Sequence, residues 1–93
     1  MLEIKMTTGF KKDLKVVKKR KKNIVKLDLL VKKLVNNAVL EIKYKDHSLL
    51  NNNYYINMRE CHIEPDWLLV YCIDRENQIL LLYRTGSHSD LFK

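Results

Sequence analysis

The sequence predicts an α+β fold, with two N-terminal helices packed on an antiparallel sheet of about four strands. Three observations carry that expectation. Apolar residues recur at helical spacing from Phe10 to Leu34, and aliphatic and aromatic runs separated by turn residues follow from Tyr54 onward. One stretch, Leu68-Leu69-Val70-Tyr71-Cys72-Ile73, is continuously apolar, as a central strand covered by helices requires. At 93 residues the chain has room for one modest core, so residues 1–93 are expected to form a single domain.

In chain order, Leu2, Ile4 and Met6 alternate with Glu3 and Lys5, the period of a short half-buried strand that ends at Thr7-Thr8-Gly9. Thr8 is suited to cap the helix that follows. Phe10, Leu14 and Val17 form one apolar stripe, and Ile24, Leu27, Val31 and Leu34 form a second. The helices are expected to break near Lys22-Asn23 and to end at Asn36-Asn37. Strands are expected over Tyr54–Met58, Glu60–Glu64, Trp67–Ile73 and Gln78–Arg84. Asn51-Asn52-Asn53, Pro65-Asp66 and Asp74-Arg75-Glu76-Asn77 supply the turns between them.

The charge is lopsided. Residues 11–33 carry eleven Lys and Arg against Asp13 and Asp28, a net +9, which leaves −2 for the rest of a chain whose total is +7. Eight of the twelve residues from 11 to 22 are basic, more than solubility requires, and the asymmetry points to a polyanionic partner, with RNA the leading candidate. No apolar run approaches the ~20 residues of a membrane span, and the N-terminus lacks a signal-peptide stretch, so a cytoplasmic location with no membrane partner is expected. Cys61 and Cys72 lack the Cys-x-x-Cys spacing and read as reduced, packed thiols, with a bridge between neighbouring strands as the alternative.

All three histidines lie in short polar motifs of the C-terminal half: Lys45-Asp46-His47-Ser48-Leu49, Glu60-Cys61-His62-Ile63-Glu64-Pro65-Asp66-Trp67, and Thr85-Gly86-Ser87-His88-Ser89-Asp90-Leu91-Phe92. Each has a carboxylate within four residues, which suits acid–base chemistry near neutrality. The spacing includes no close ligand pair such as His-x-x-x-His, so the sequence argues for no metal and no other cofactor.

These motifs, together with Phe10-Lys11-Lys12-Asp13-Leu14-Lys15 and Arg59-Glu60-Cys61-His62, resemble the YafQ branch of the RelE toxin family over nearly the whole chain. The resemblance implies a small α+β endoribonuclease of a type II toxin–antitoxin pair. Such an enzyme enters the ribosomal A site, cuts the mRNA there without a metal, and is inhibited by a cognate antitoxin. Carried onto this sequence, the implied catalytic residues are His47, His62, Asp66 and His88, with Phe92 and Trp67 beside them. The chain departs from the family pattern at Asn51–Asn57, where related sequences show a glycine followed by an aromatic and a lysine.

Metal-free RNA cleavage needs the ribose 2′-hydroxyl activated, charge on phosphorus stabilised and the departing 5′-oxygen protonated. On that requirement His88 is the expected general acid, Asp66 or His47 the base, and His62 an orienting group. Arg84 and Lys45 are the expected substrate-binding cations, and Trp67 and Phe92 are expected to stack on bases. Ribosomal RNA is the expected partner of the basic helices, and the antitoxin is expected to be acidic where it binds. The alternative is a non-catalytic basic module that binds nucleic acid or protein, in which the histidines are incidental.

Overall fold

The computed structural model describes residues 1–49, 55 and 57–92. Its elements are β1 (Glu3–Met6), α1 (Thr8–Lys19), α2 (Ile24–Val35), a 3₁₀ turn (Ile42–Tyr44), β2 (His47–Ser48), β3 (Arg59–Glu64), β4 (Trp67–Asp74), β5 (Ile79–Gly86) and a one-turn α3 (His88–Leu91). The strands form one sheet in the order β1-β5-β4-β3-β2.

The α+β class holds, while the sheet has five strands and is mixed. β1 runs parallel to β5, with Glu3 opposite Ile79 and Met6 opposite Leu82, and the other three pairings are antiparallel. The physical reason is connectivity: β1 lies at the sheet edge beside β5, and the chain joins the two through the helical pair and the other three strands, a connection long enough to bring parallel neighbours together. The expected strand over Tyr54–Met58 falls partly outside the described residues, and Tyr55, Asn57 and Met58 belong to no strand. Tyr55 is instead a buried side chain whose hydroxyl donates to the Leu91 carbonyl at 2.7 Å.

Thr7, not Thr8, caps α1. Thr7 keeps extended backbone angles and its Oγ1 accepts from Phe10 N at 3.0 Å, while its own hydroxyl donates to the Tyr83 carbonyl at 2.6 Å and ties the helix to β5. Asn23 caps α2 through Val25 N at 3.1 Å, and the chain leaves α2 through Asn37 at a positive φ of 58°.

The helices bury Phe10, Val17, Leu27, Leu30 and Leu34 against Cys61, Ile63, Trp67, Leu69, Tyr71, Leu80 and Leu82 of the sheet. Each large side chain removed from water there stabilises the fold by about 2 kcal/mol. A smaller apolar cluster sits apart from this one, with Tyr55, Leu68, Val70 and Leu91 at its centre and Leu49, Met58, Tyr83 and Phe92 around them. Because strand side chains alternate between faces, Cys61 and Ile63 point to α1 and α2 while Glu60 and His62 point to the opposite face.

Candidate active site

The sheet face opposite α1 and α2 gathers His62, His88 and Glu60. His62, on β3, lies with its ring centroid 6.2 Å from that of His88, the first residue of α3. Phe92 stands 5.4 Å from the His88 ring and 5.2 Å edge-on to Tyr55, which anchors this aromatic group in the smaller cluster. His47, on β2, is paired opposite Glu60 and so shares that face by register.

The α3 turn that presents His88 is tightly built. Ser87 Oγ accepts from Asp90 N at 3.2 Å, Asp90 accepts from Ser87 N at 2.9 Å, and Arg20 of the α1 C-cap grips the same carboxylate at 2.6 and 3.1 Å. The guanidinium and the Ser87 N–H hold the Asp90 carboxyl well below the usual carboxylate range. Asp66 adds the third support, accepting the His88 backbone N–H at 3.0 Å while standing 3.8 Å from its Nδ1.

The three imidazoles are held differently. His88 is 59% exposed and Asp66 69%, so both are open to substrate. His47 donates from Nδ1 to the Lys45 carbonyl at 2.7 Å, because a carbonyl can only accept, and this leaves Nε2 as an open acceptor in the neutral ring. His62 is 14% exposed and engaged at both nitrogens, by Glu60 Oε1 at 3.1 Å and by the Pro65 carbonyl at 3.2 Å. The sequence singles out no role for Glu60, yet this side chain is a buried carboxylate lodged between two histidines. Its signal lay in the strand period, since Glu60 and His62 are two apart and share a face.

Carboxylates close in sequence are mostly not the partners in space. Asp46 serves Arg59 and the Tyr71 hydroxyl, at 3.1 and 2.5 Å. Glu64 serves Lys22 and Lys26 at 3.2 and 2.9 Å, and those ammonium groups lower its carboxyl. The Asp46 network fixes the turn from which His47 projects, and burial pushes the Tyr71 phenol up.

Two expected substrate contacts are engaged within the fold. Trp67 is 1% exposed and its indole N–H donates to Thr85 Oγ1 at 3.0 Å, so it is a core side chain with no ring face left for a base. Arg84 is committed to Asp13 of α1, through Nε at 2.6 Å and Nη2 at 3.1 Å, and clamps that helix to β5 instead of standing free for a phosphate. Lys45 has no carboxylate partner among the described residues, and Phe92 is half-buried beside His88. Cys61 and Cys72 are free thiols; burial pushes both up, and Cys61 is fully enclosed.

Of the basic cluster, Arg20, Lys22, Lys26 and Lys33 form ion pairs, whereas Lys11, Lys12, Lys15, Lys18 and Lys19 are exposed along α1 with no carboxylate partner among the described residues. Among the described residues no group of three or more His, Cys, Asp or Glu side chains is arranged to hold a metal ion. No helix of the described residues is long and apolar enough to cross a membrane.

A helical pair over one face of a five-stranded sheet, with His62, His88, Glu60 and Asp66 gathered on the opposite face and exposed lysines along α1, defines a small α+β protein with a strongly basic helix. Residues 2–93 match the model of the YafQ family, the bacterial toxins of type II toxin–antitoxin systems, and the chain belongs to that family. It is 38% identical over 91 residues to the mRNA interferase toxin YafQ of Escherichia coli strain B, covering 97% of this chain and 95% of that protein. The YafQ chain in a crystal structure of the E. coli DinJ–YafQ complex superposes with a TM-score of 0.88 at 37% identity, each chain fully covered. A metal-bound toxin from Helicobacter pylori superposes with a TM-score of 0.91 at 42% identity, covering 99% of this chain and all of the other.

Proposed function

We propose that this toxin is an mRNA endoribonuclease that cuts ribosome-bound messages in the A site, acts in the cytoplasm and is silenced by an acidic antitoxin. The observation that carries the reading is the His62–His88 pair at 6.2 Å, backed by the buried Glu60 and the exposed Asp66, with Phe92 beside it. The names of the E. coli relatives, an mRNA interferase and a partner in a toxin–antitoxin complex, support it.

In this reaction the 2′-hydroxyl loses its proton to a base as its oxygen attacks phosphorus. The bond to the 5′-oxygen breaks, a 2′,3′-cyclic phosphate forms, and an acid delivers a proton to the departing oxygen. His88, exposed and held by its backbone to Asp66, is the acid. His47, whose Nδ1 bond to Lys45 leaves Nε2 open, or Asp66 is the base. His62, held at both nitrogens by Glu60 and the Pro65 carbonyl, is a positioning residue that fixes the wall of the site beside His88. Phe92 offers a ring face to an unstacked base. The unpaired lysines of α1 engage ribosomal RNA through counterion release.

The reading assigns each proton transfer to a side chain and none to a metal. Primer extension on translated messages tests the reading. Wild type should stop reverse transcription at A-site positions, with and without EDTA, and His88→Ala should lower the cleavage rate by about 10²–10⁴-fold. Undiminished cleavage by His88→Ala would remove His88 as the acid, whereas growth arrest that survives substitution of the histidines but not of the α1 lysines would instead support the non-catalytic module.

A further inference from the structure

A cleft of about 520 Å³ opens between α2, the 3₁₀ turn and the end of β3, bordered by Lys26, Leu29, Lys43, Tyr44, Lys45 and His62. It adjoins the His62 ring, whose centroid lies 6.2 Å from that of His88, and beyond His62 and Lys45 none of its lining has a role assigned above. We propose that this cleft is the binding site for a single ribonucleotide neighbouring the scissile phosphate, which rests on the nuclease reading above and extends it to the path of the RNA.

Three features fit that occupant. The volume lies within the range of sites that enclose small molecules, and a nucleotide falls in that class. The charge is complementary to a phosphate. The lining carboxylate, Glu64, is already paired by Lys22 and Lys26, while Lys45 has no carboxylate partner among the described residues. Lys43 is held only loosely, at 3.8 Å from Glu41 and 5.2 Å over the Tyr44 ring. The apolar wall is exposed: Leu29 is 54% accessible on a helix that otherwise buries its leucines at 27, 30 and 34. β2 pairs only with Arg59 and Glu60, so the edge of β3 from His62 to Glu64 has no strand partner on that side among the described residues. It can offer main-chain donors and acceptors to a base edge.

A strand of RNA laid from Phe92 across His88 and His62 therefore continues into the cleft, with its phosphate at Lys45 and its base against Leu29. The test titrates the isotope-labelled full chain with a short 2′-O-methyl RNA, which lacks the attacking hydroxyl, and follows backbone amide shifts. Shifts at Leu29, Tyr44, Lys45 and His62 are expected. Leu29→Glu, on an exposed position, should weaken binding roughly tenfold, toward the lower end of what one base contact contributes. Shifts confined to the α1 lysines or to His88 and Phe92, or unchanged affinity of Leu29→Glu, would overturn the proposal. Cleft shifts in a protein that cuts no message would retire the nuclease reading and leave the RNA site standing. Normal cleavage with a silent cleft would retire the cleft alone.

Discussion

Gly86→Ala should cripple the turn that presents His88. Gly86 closes β5 at a φ of 156°, which side chains rarely adopt. A Cβ built there lies 2.8 Å from Asp90 Oδ2 and 3.1 Å from Asp90 Cβ. Asp90 has no freedom to move aside, because its carboxylate is bonded to Ser87 N at 2.9 Å and to Arg20 at 2.6 and 3.1 Å. The backbone conformation costs roughly 1–3 kcal/mol for a non-glycine residue. Loss of the cap adds about 1 kcal/mol. The Arg20 pair adds less, since its side chains are 46% and 29% exposed and solvent screens them. A total near 3 kcal/mol lowers the melting temperature by roughly 10–20 °C in a domain of this size. The cleavage rate should fall further, by about 10²-fold, because an ångström of displacement at His88 spoils its approach to the leaving oxygen. Thermal unfolding and single-turnover cleavage measure the two effects. The double variant Gly86→Ala/Asp90→Ala should be less destabilised than the sum of its parts, since the collision is shared. A Gly86→Ala protein that melts within two or three degrees of wild type and cleaves within about twofold would refute the reasoning.

Trp67→Phe should cost about 1–3 kcal/mol in urea unfolding, because Thr85 loses its indole donor, while cleavage by the folded fraction stays near wild type. A selective loss of cleavage without loss of stability would return Trp67 to the substrate. Asp90 and Glu64 carboxyls are held below their ordinary range by Arg20, Lys22 and Lys26, so in acid the unfolded chain binds more protons than the folded one. Their stabilisation is complete above the unfolded carboxylate range near pH 4 and drains away as pH falls below it. Asp90→Asn should therefore flatten the loss of stability between neutral pH and acid, as read by urea midpoints. Replacing Lys11, Lys15 and Lys18 by Gln should weaken ribosome binding and reduce the slope of log affinity against log salt by about 2, with the fold unchanged.

The apolar periods made α1, α2 and the strands from Arg59 onward readable from the residues, because burial of one face is a local property of the pattern. The position of β1 was not readable in this way: its four residues are all exposed, and its parallel pairing with β5 joins segments more than seventy residues apart. The same division runs through the site. Histidine and carboxylate content supplied the groups for the proposed acid–base chemistry, and the motifs singled out His47, His62, Asp66 and His88 as its candidates. Which carboxylate serves which ring depended on the sheet register and on where α1 crosses β5. Asp90, two residues from His88, turned to Arg20, and Asp13 took Arg84 out of the running as a free cation. Residue type and spacing thus determined the kinds of group present and the faces they occupy. Tertiary packing decided their partners, because a charge pairs with whatever neighbour the folded chain brings within ~4 Å, irrespective of its distance along the sequence.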